Sequence, residues 1–142
     1  MDTSPQLRHV LTAMPVLIPH IDFCIVPIGT PTASVSAEVA EVQRLLKKSG
    51  IKYSMHSAGT TIEVSLEEIL IREAWRANTH RLQKGSWEEC MKLIGQCHSL
   101  LHANGVVRIQ SDIRVGSRTD KKQGFEDKVK AVEDLLAKDE QS

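Results

Sequence analysis

Phe23–Glu63, FCIVPIGTPTASVSAEVAEVQRLLKKSGIKYSMHSAGTTIE, decides the fold. It reads as strand, helix, strand, tight turn, strand. Phe23 to Ile28 is apolar and partly β-branched, and Gly29-Thr30-Pro31 stops it, because proline cannot extend a ladder and disfavours helix in the residue before it. Ser34 or Ser36 is placed to cap a helix, and Glu38 suits the positive end of its dipole. Val35, Val39, Val42 and Leu46 recur at helical spacing and form one face. Lys47 and Lys48 sit in the last turn, and Gly50 is placed for a left-handed C-cap. Ile51 to Ser57 and Thr60 to Val64 are strand-like, with Ala58-Gly59 as the hairpin signal between them. No catalytic motif falls in this stretch.

Working outward, Trp87, Cys90, Met91, Ile94, Cys97 and Leu101 make one stripe of a second helix, which Asn104-Gly105 ends. Val106 to Val115 alternates as a strand. Val107, Ile109, Ile113 and Val115, with Ser111 among them, face one way; Arg108, Gln110, Asp112 and Arg114 face the other. Gly116 to Gly124 is a charged loop, and Phe125, Val129, Val132 and Leu136 mark a final amphipathic helix. The order is β-α-β-β-α-β plus a C-terminal helix. That is a ferredoxin-like α+β sandwich, one sheet face under helices and the other polar. Between the halves, Ser65-Leu66-Glu67-Glu68 and Ser86-Trp87-Glu88-Glu89 both fit a capping box, and the helical stripe starting at Leu66 fades at Asn78 to His80.

The 142 residues suit one domain with a real core. Residues 1–22, interrupted by Pro5, Pro15 and Pro19, read as a flexible arm rather than a signal peptide. The domain is placed at 23–138. Eighteen basic and eighteen acidic residues cancel, which argues against a general electrostatic nucleic-acid or membrane binder. RNA recognition on this fold needs aromatics on the central strands, and the last strand has none. Three cysteines without paired spacing point to free thiols and a cytoplasmic location. No apolar run is long enough to span a membrane.

The quoted stretch, together with GSWEECMKLIGQCHSLLHANGVVRIQSDIRVGSRTDKKQGFEDKVKAVEDLL, resembles the thiamine-binding protein family, also called YkoF-like, and above all its small single-domain fungal members. The resemblance covers 23–63 and 85–136. It is carried by Pro27-Ile28-Gly29-Thr30, Ser34-Val35-Ser36, Gly59-Thr60-Thr61-Ile62-Glu63 and the run from Asp112 to Lys121. It implies a ferredoxin-like fold and a homodimer or homotetramer assembled through sheets. It also implies a non-catalytic binder of thiamine or its hydroxymethylpyrimidine half, with no cofactor. In the family the strand ending at Glu63 runs directly into Gly85-Ser86-Trp87, so 64–84 is an insertion. Its codons permit a retained intron: a donor pattern at Val64-Ser65, a branch sequence at Ala77-Asn78, and a terminal AG at Lys84. A surface insertion is the alternative.

A site for a cationic thiazolium joined to an aminopyrimidine wants a carboxylate, hydroxyls and an apolar wall. Glu63 and Asp112 are the candidate acids. Ser34, Ser36, Thr60 and Thr61 supply hydroxyls, Met55 a wall, and Arg114 an adjacent charge. Each has a plainer role available: helix capping for Ser34 and Ser36, and cross-strand pairing with Arg108 or Arg114 for Glu63 and Asp112. Arg118, Lys121 and Lys122 form a candidate anion cluster, or simply a solvated loop. His98 and His102 have zinc spacing but no accompanying carboxylate or second pair, so no metal is expected. His56 with Ser54 lacks an orienting third group or an oxyanion motif, so no enzyme is expected. A structural or regulatory oligomerisation module without a ligand is the competing function.

Overall fold

A computed structural model describes residues 17–64 and 86–140. The strands are β1 (His20–Ile28), β2 (Lys52–His56), β3 (Gly59–Glu63) and β4 (Arg108–Gly116); the helices are α1 (Ser36–Ser49), α2 (Ser86–Ala103) and α3 (Phe125–Asp139). The sheet runs β2-β3-β1-β4, antiparallel throughout. This is the ferredoxin-like order expected from the chain. The helical segment and capping box read at residues 65–84 lie outside the described residues.

Register assigns every side chain to a face. Ile21 pairs with Ile62 and with Val115, and Phe23 with Thr60 and Ile113. Ile21, Phe23 and Ile62 therefore point under α1 and α2, where they join Val42 and Leu46 of α1 and Cys90, Leu93, Ile94, Cys97 and Leu101 of α2. Asp22, Thr61, Asp112 and Arg114 fall on the opposite, open face. The polar row expected on β4 is there: Arg108, Gln110, Asp112 and Arg114 are exposed, while Ile109 and Val115 pack against the core.

Five details differ from the sequence reading, each for a local reason. β1 begins at His20, three residues before the expected Phe23, because β4 pairs with it all the way from His20 to Ile28. Val107 is 90% exposed and precedes β4; Val106 packs on the core in its place. The α2 stripe is rotated, so that Leu93 is buried while Trp87 and Met91 stay substantially exposed. Neither Ser34 nor Ser36 caps α1. The N-cap is Val35 without a side-chain bond, and the two serine hydroxyls lie 3.1 Å from each other. The hairpin turn is Ser57-Ala58, since His56 pairs with Gly59. Gly59 serves another purpose: a Cβ there would sit 2.5 Å from the Phe23 carbonyl oxygen, so only glycine lets β3 approach β1 this closely. Gly50 and Gly105 adopt positive φ and end α1 and α2 as read.

The last helix breaks the pattern. Val129, Val132, Leu135 and Leu136 are 56–61% exposed, and no residue of α3 is buried. Its amphipathic stripe faces solvent.

Candidate functional site

β3 ends its pairing with β1 at Phe23, whereas β4 follows β1 to Ile28. Beyond Phe23, β1 is thus an edge strand on one side. The Phe23 carbonyl points toward β3, and alternation turns the Ile25 N–H and C=O and the Pro27 C=O the same way, where the ladder gives them no strand partner. Pro27 is tolerated here because its missing N–H falls on that unladdered side.

A cleft of about 200 Å³ opens beside this edge, between the first half of α1 and the β2–β3 turn. Phe23, Val39, Val42 and Leu101 give it an apolar floor. Two acceptors break that floor. Glu38 Oε2 and Gln43 Oε1 are buried and have no hydrogen-bond partner. The other end of the Gln43 amide is fixed, since Nε2 donates to Thr60 Oγ1 at 2.9 Å. A buried acceptor left unpaired costs about 1–3 kcal/mol, and native structures keep few of them. The cleft is therefore shaped for a small guest that brings donors.

Of the residues expected to bind, Thr60 alone lines this cleft. Met55 lies on the same side of the sheet at its outer edge, well exposed. Ser34 and Ser36 flank Val35, which does line the cleft. Thr61, Glu63, Asp112 and Arg114 fall on the open face. There His56 Nδ1 accepts from the Ala58 N–H, which leaves Nε2–H to donate to Asp22 Oδ1 at 2.6 Å. The Thr61 hydroxyl donates to the same carboxylate oxygen. Glu63 is 8% exposed. It makes no pair with Arg108 or Arg114; its Oε2 accepts the Phe125 N–H at 2.9 Å and lies 3.2 Å from His20 Nδ1. Its carboxylate thus holds the first turn of α3, where the helix dipole favours a negative charge.

The loop cations are not equivalent. Arg118 donates to both Asp120 oxygens and to Gln123, and this pairing pulls the Asp120 carboxyl down to about 2. Lys121 and Lys122 are exposed beside it. His98 Nε2 bonds Ser111 Oγ at 2.5 Å, which accounts for a serine on the covered face of β4. Burial, then His102, lowers the His98 pKa from its ordinary value. His102 Nδ1 bonds the Val106 carbonyl. Among the described residues no group of three His, Cys, Asp or Glu could hold a metal. Burial raises the Cys97 thiol to about 11, so it is a core side chain.

Glu38 and Gln43 were the residues that sequence reasoning missed. The available signal was a carboxylate inside an apolar stripe: position 38 lies three after Val35 and four before Val42.

A family described as thiamine-binding protein matches residues 21–80 and 80–133. The chain belongs to the thiamine-binding protein family. Relatives include the UPF0045 protein ECM15 of Eremothecium gossypii, 40% identical over 82% of this chain and 91% of its own length. A UPF0045 protein of Synechocystis is 36% identical, over 82% of this chain and 78% of its own. Among solved structures, a hypothetical protein of Methanocaldococcus jannaschii matches with a TM-score of 0.57 at 27% identity, covering 83% of this chain and 97% of its own. A Thermotoga maritima protein named for a proposed role in thiamine biosynthesis or salvage shares the fold, with a TM-score of 0.54 at 15% identity, over 81% and 98% of the two chains. In this member of the thiamine-binding family, no helix among the described residues is long and apolar enough to cross a membrane.

Proposed function

We propose that this chain is a non-catalytic binding protein for thiamine or a related hydroxymethylpyrimidine, working as a cytoplasmic homo-oligomer that associates through its sheets. The observation that carries the ligand reading is the pair of unpartnered acceptors, Glu38 Oε2 and Gln43 Oε1, in an otherwise apolar cleft. An aminopyrimidine brings the amino donors these oxygens lack, and a ring that fits an apolar floor. The Ile25 N–H and C=O offer a donor and an acceptor to the edge of such a ring. At about 200 Å³ the cleft is smaller than the roughly 300 Å³ at which sites for drug-sized ligands begin, so it takes the pyrimidine and leaves a thiazolium at its mouth. The free thiols of Cys24, Cys90 and Cys97 support a reducing compartment.

Isothermal titration with hydroxymethylpyrimidine, thiamine and thiamine phosphates tests this reading. Wild type is expected to bind the pyrimidine, and Glu38→Gln to bind it at least about tenfold more weakly, because a charge-assisted bond is replaced by a neutral one. Absence of heat with every ligand, or an unchanged affinity in Glu38→Gln, overturns it. A second reading, an oligomerisation module without a ligand, draws on the exposed stripe of α3; it predicts assembly with no heat from any of these compounds.

A further inference from the structure

Two surfaces of this chain lack a covering layer among the described residues. One is the apolar stripe of α3, with Val129, Val132, Leu135 and Leu136 each more than half exposed. The other is the open sheet face, where Val26 and Ile28 of β1 are exposed beside the β4 row of Arg108, Gln110, Asp112 and Arg114. The two surfaces are tied together. The first turn of α3 is held at one end of the open face by Glu63 on the Phe125 N–H, and by Lys52, which sits 3.3 Å from Glu126 and 4.7 Å above the Phe125 ring.

We infer that α3 is a docking arm for a second copy of this chain, its apolar stripe lying on the open sheet face of that copy while the second α3 returns the same contact. The inference rests on the self-association proposed above and names the element that makes it. Length fits: the 15 residues of α3 span about 22 Å, and the nine residues of β4 about 30 Å. Charge fits as well. Within Phe125–Asp139 five acidic side chains (Glu126, Asp127, Glu133, Asp134, Asp139) outnumber three basic ones (Lys128, Lys130, Lys138), a net charge of −2. The β4 row carries Arg108 and Arg114 against Asp112, a net charge of +1.

Area decides for a second copy. Four half-exposed aliphatic side chains make a patch of about 400 Å², the size at which ordinary monomer surface gives way to interaction surface. Two such patches, each with an equal area opposite, remove about 1,600 Å² from water, the ordinary size of a stable interface. A reciprocal contact also closes on itself, as two-fold interfaces do, and leaves no unpaired stripe to propagate.

Light scattering on the full chain over a range of concentrations tests this, with far-UV circular dichroism as the check on folding. Wild type is expected at two or four times the chain mass. The double variant Val132→Glu, Leu136→Glu is expected to halve that mass or reduce it to the monomer while keeping its helix and strand signal, since neither side chain is in the core. Arg108→Glu on the receiving face is expected to lower the mass in the same direction. An oligomeric wild type whose mass is untouched by the α3 double variant overturns the docking arm and leaves assembly through the sheets standing. A monomeric wild type overturns both. Pyrimidine titration of the double variant keeps the ligand reading separate, because Glu38 and Gln43 lie on the other side of the sheet. If the double variant loses its circular dichroism signal, Leu135→Lys alone, at the margin of the stripe, gives the same discrimination.

Discussion

α2 and α3 carry nearly the same message in sequence and meet opposite fates. Both are stripes of aliphatic side chains at helical spacing. In α2 the stripe of Cys90, Leu93, Ile94, Cys97 and Leu101 is buried against the sheet; in α3 the stripe of Val129, Val132 and Leu136 has nothing under it. Periodicity states which face of a helix avoids water. It does not state whether the cover is the same chain or another one. The covered side of the sheet is already filled by α1 and α2, so a third apolar helix has no place there.

The largest expected effect sharpens this contrast directly. Leu101→Ala should cost about 2–5 kcal/mol in denaturant unfolding, since it empties a site in the closed core. Leu136→Ala, compared with wild type at a dilution where both are monomeric, should cost less than about 0.5 kcal/mol. Equal losses would mean that α3 packs within its own chain.

Gly59→Ala comes next. Its Cβ would meet the Phe23 carbonyl at 2.5 Å, and backbone cannot move aside as a side-chain end can. A loss of about 1–3 kcal/mol is expected, read from the urea midpoint, along with weaker ligand binding, because Gly59 also lines the cleft. An unchanged midpoint would mean that the β1–β3 approach is looser than described.

Glu63→Ala separates anchoring from packing. It removes the acceptor of the Phe125 N–H and should release α3, costing about 1 kcal/mol or less of domain stability. Hydrogen exchange should quicken in 125–139 and stay unchanged in α2. Quickened exchange throughout the domain would make Glu63 a core residue rather than a tether.

The smallest effect is in pH. His98 has its pKa lowered by burial and by His102. The unfolded chain therefore binds a proton first as pH falls through the ordinary histidine range, and the native state is weakened relative to it. Stability should rise with pH from below the lowered value to just above 6.5. His98→Gln should flatten that slope in a series of urea melts; a slope unchanged in the variant would assign it to other groups.

Much of this was written in the chain. The alternation of β4, the glycines at 50 and 105, and the strand and helix order follow from local chemistry and were legible. Errors arose where a neighbour decided. Met91 and Leu93 are equally apolar, and only the angle of α2 on the sheet selects Leu93. Gly59 looks like a turn residue until the Phe23 carbonyl is placed beside it. Glu63 reads as a ligand acid because its true partner, the Phe125 N–H, lies 62 positions away. Glu38 reads as a dipole residue because a cleft cannot be seen from one helix.

The central claim is that the guest sits between α1 and the edge of β1, not on the open face. Amide NMR during titration with hydroxymethylpyrimidine tests it residue by residue. The account predicts that Ile25, Glu38, Gln43 and Gly59 shift with a single saturation curve while Asp112 and Arg114 hold still. Shifts confined to Thr61, Asp112 and Arg114, with Glu38 and Gln43 unmoved, would contradict it.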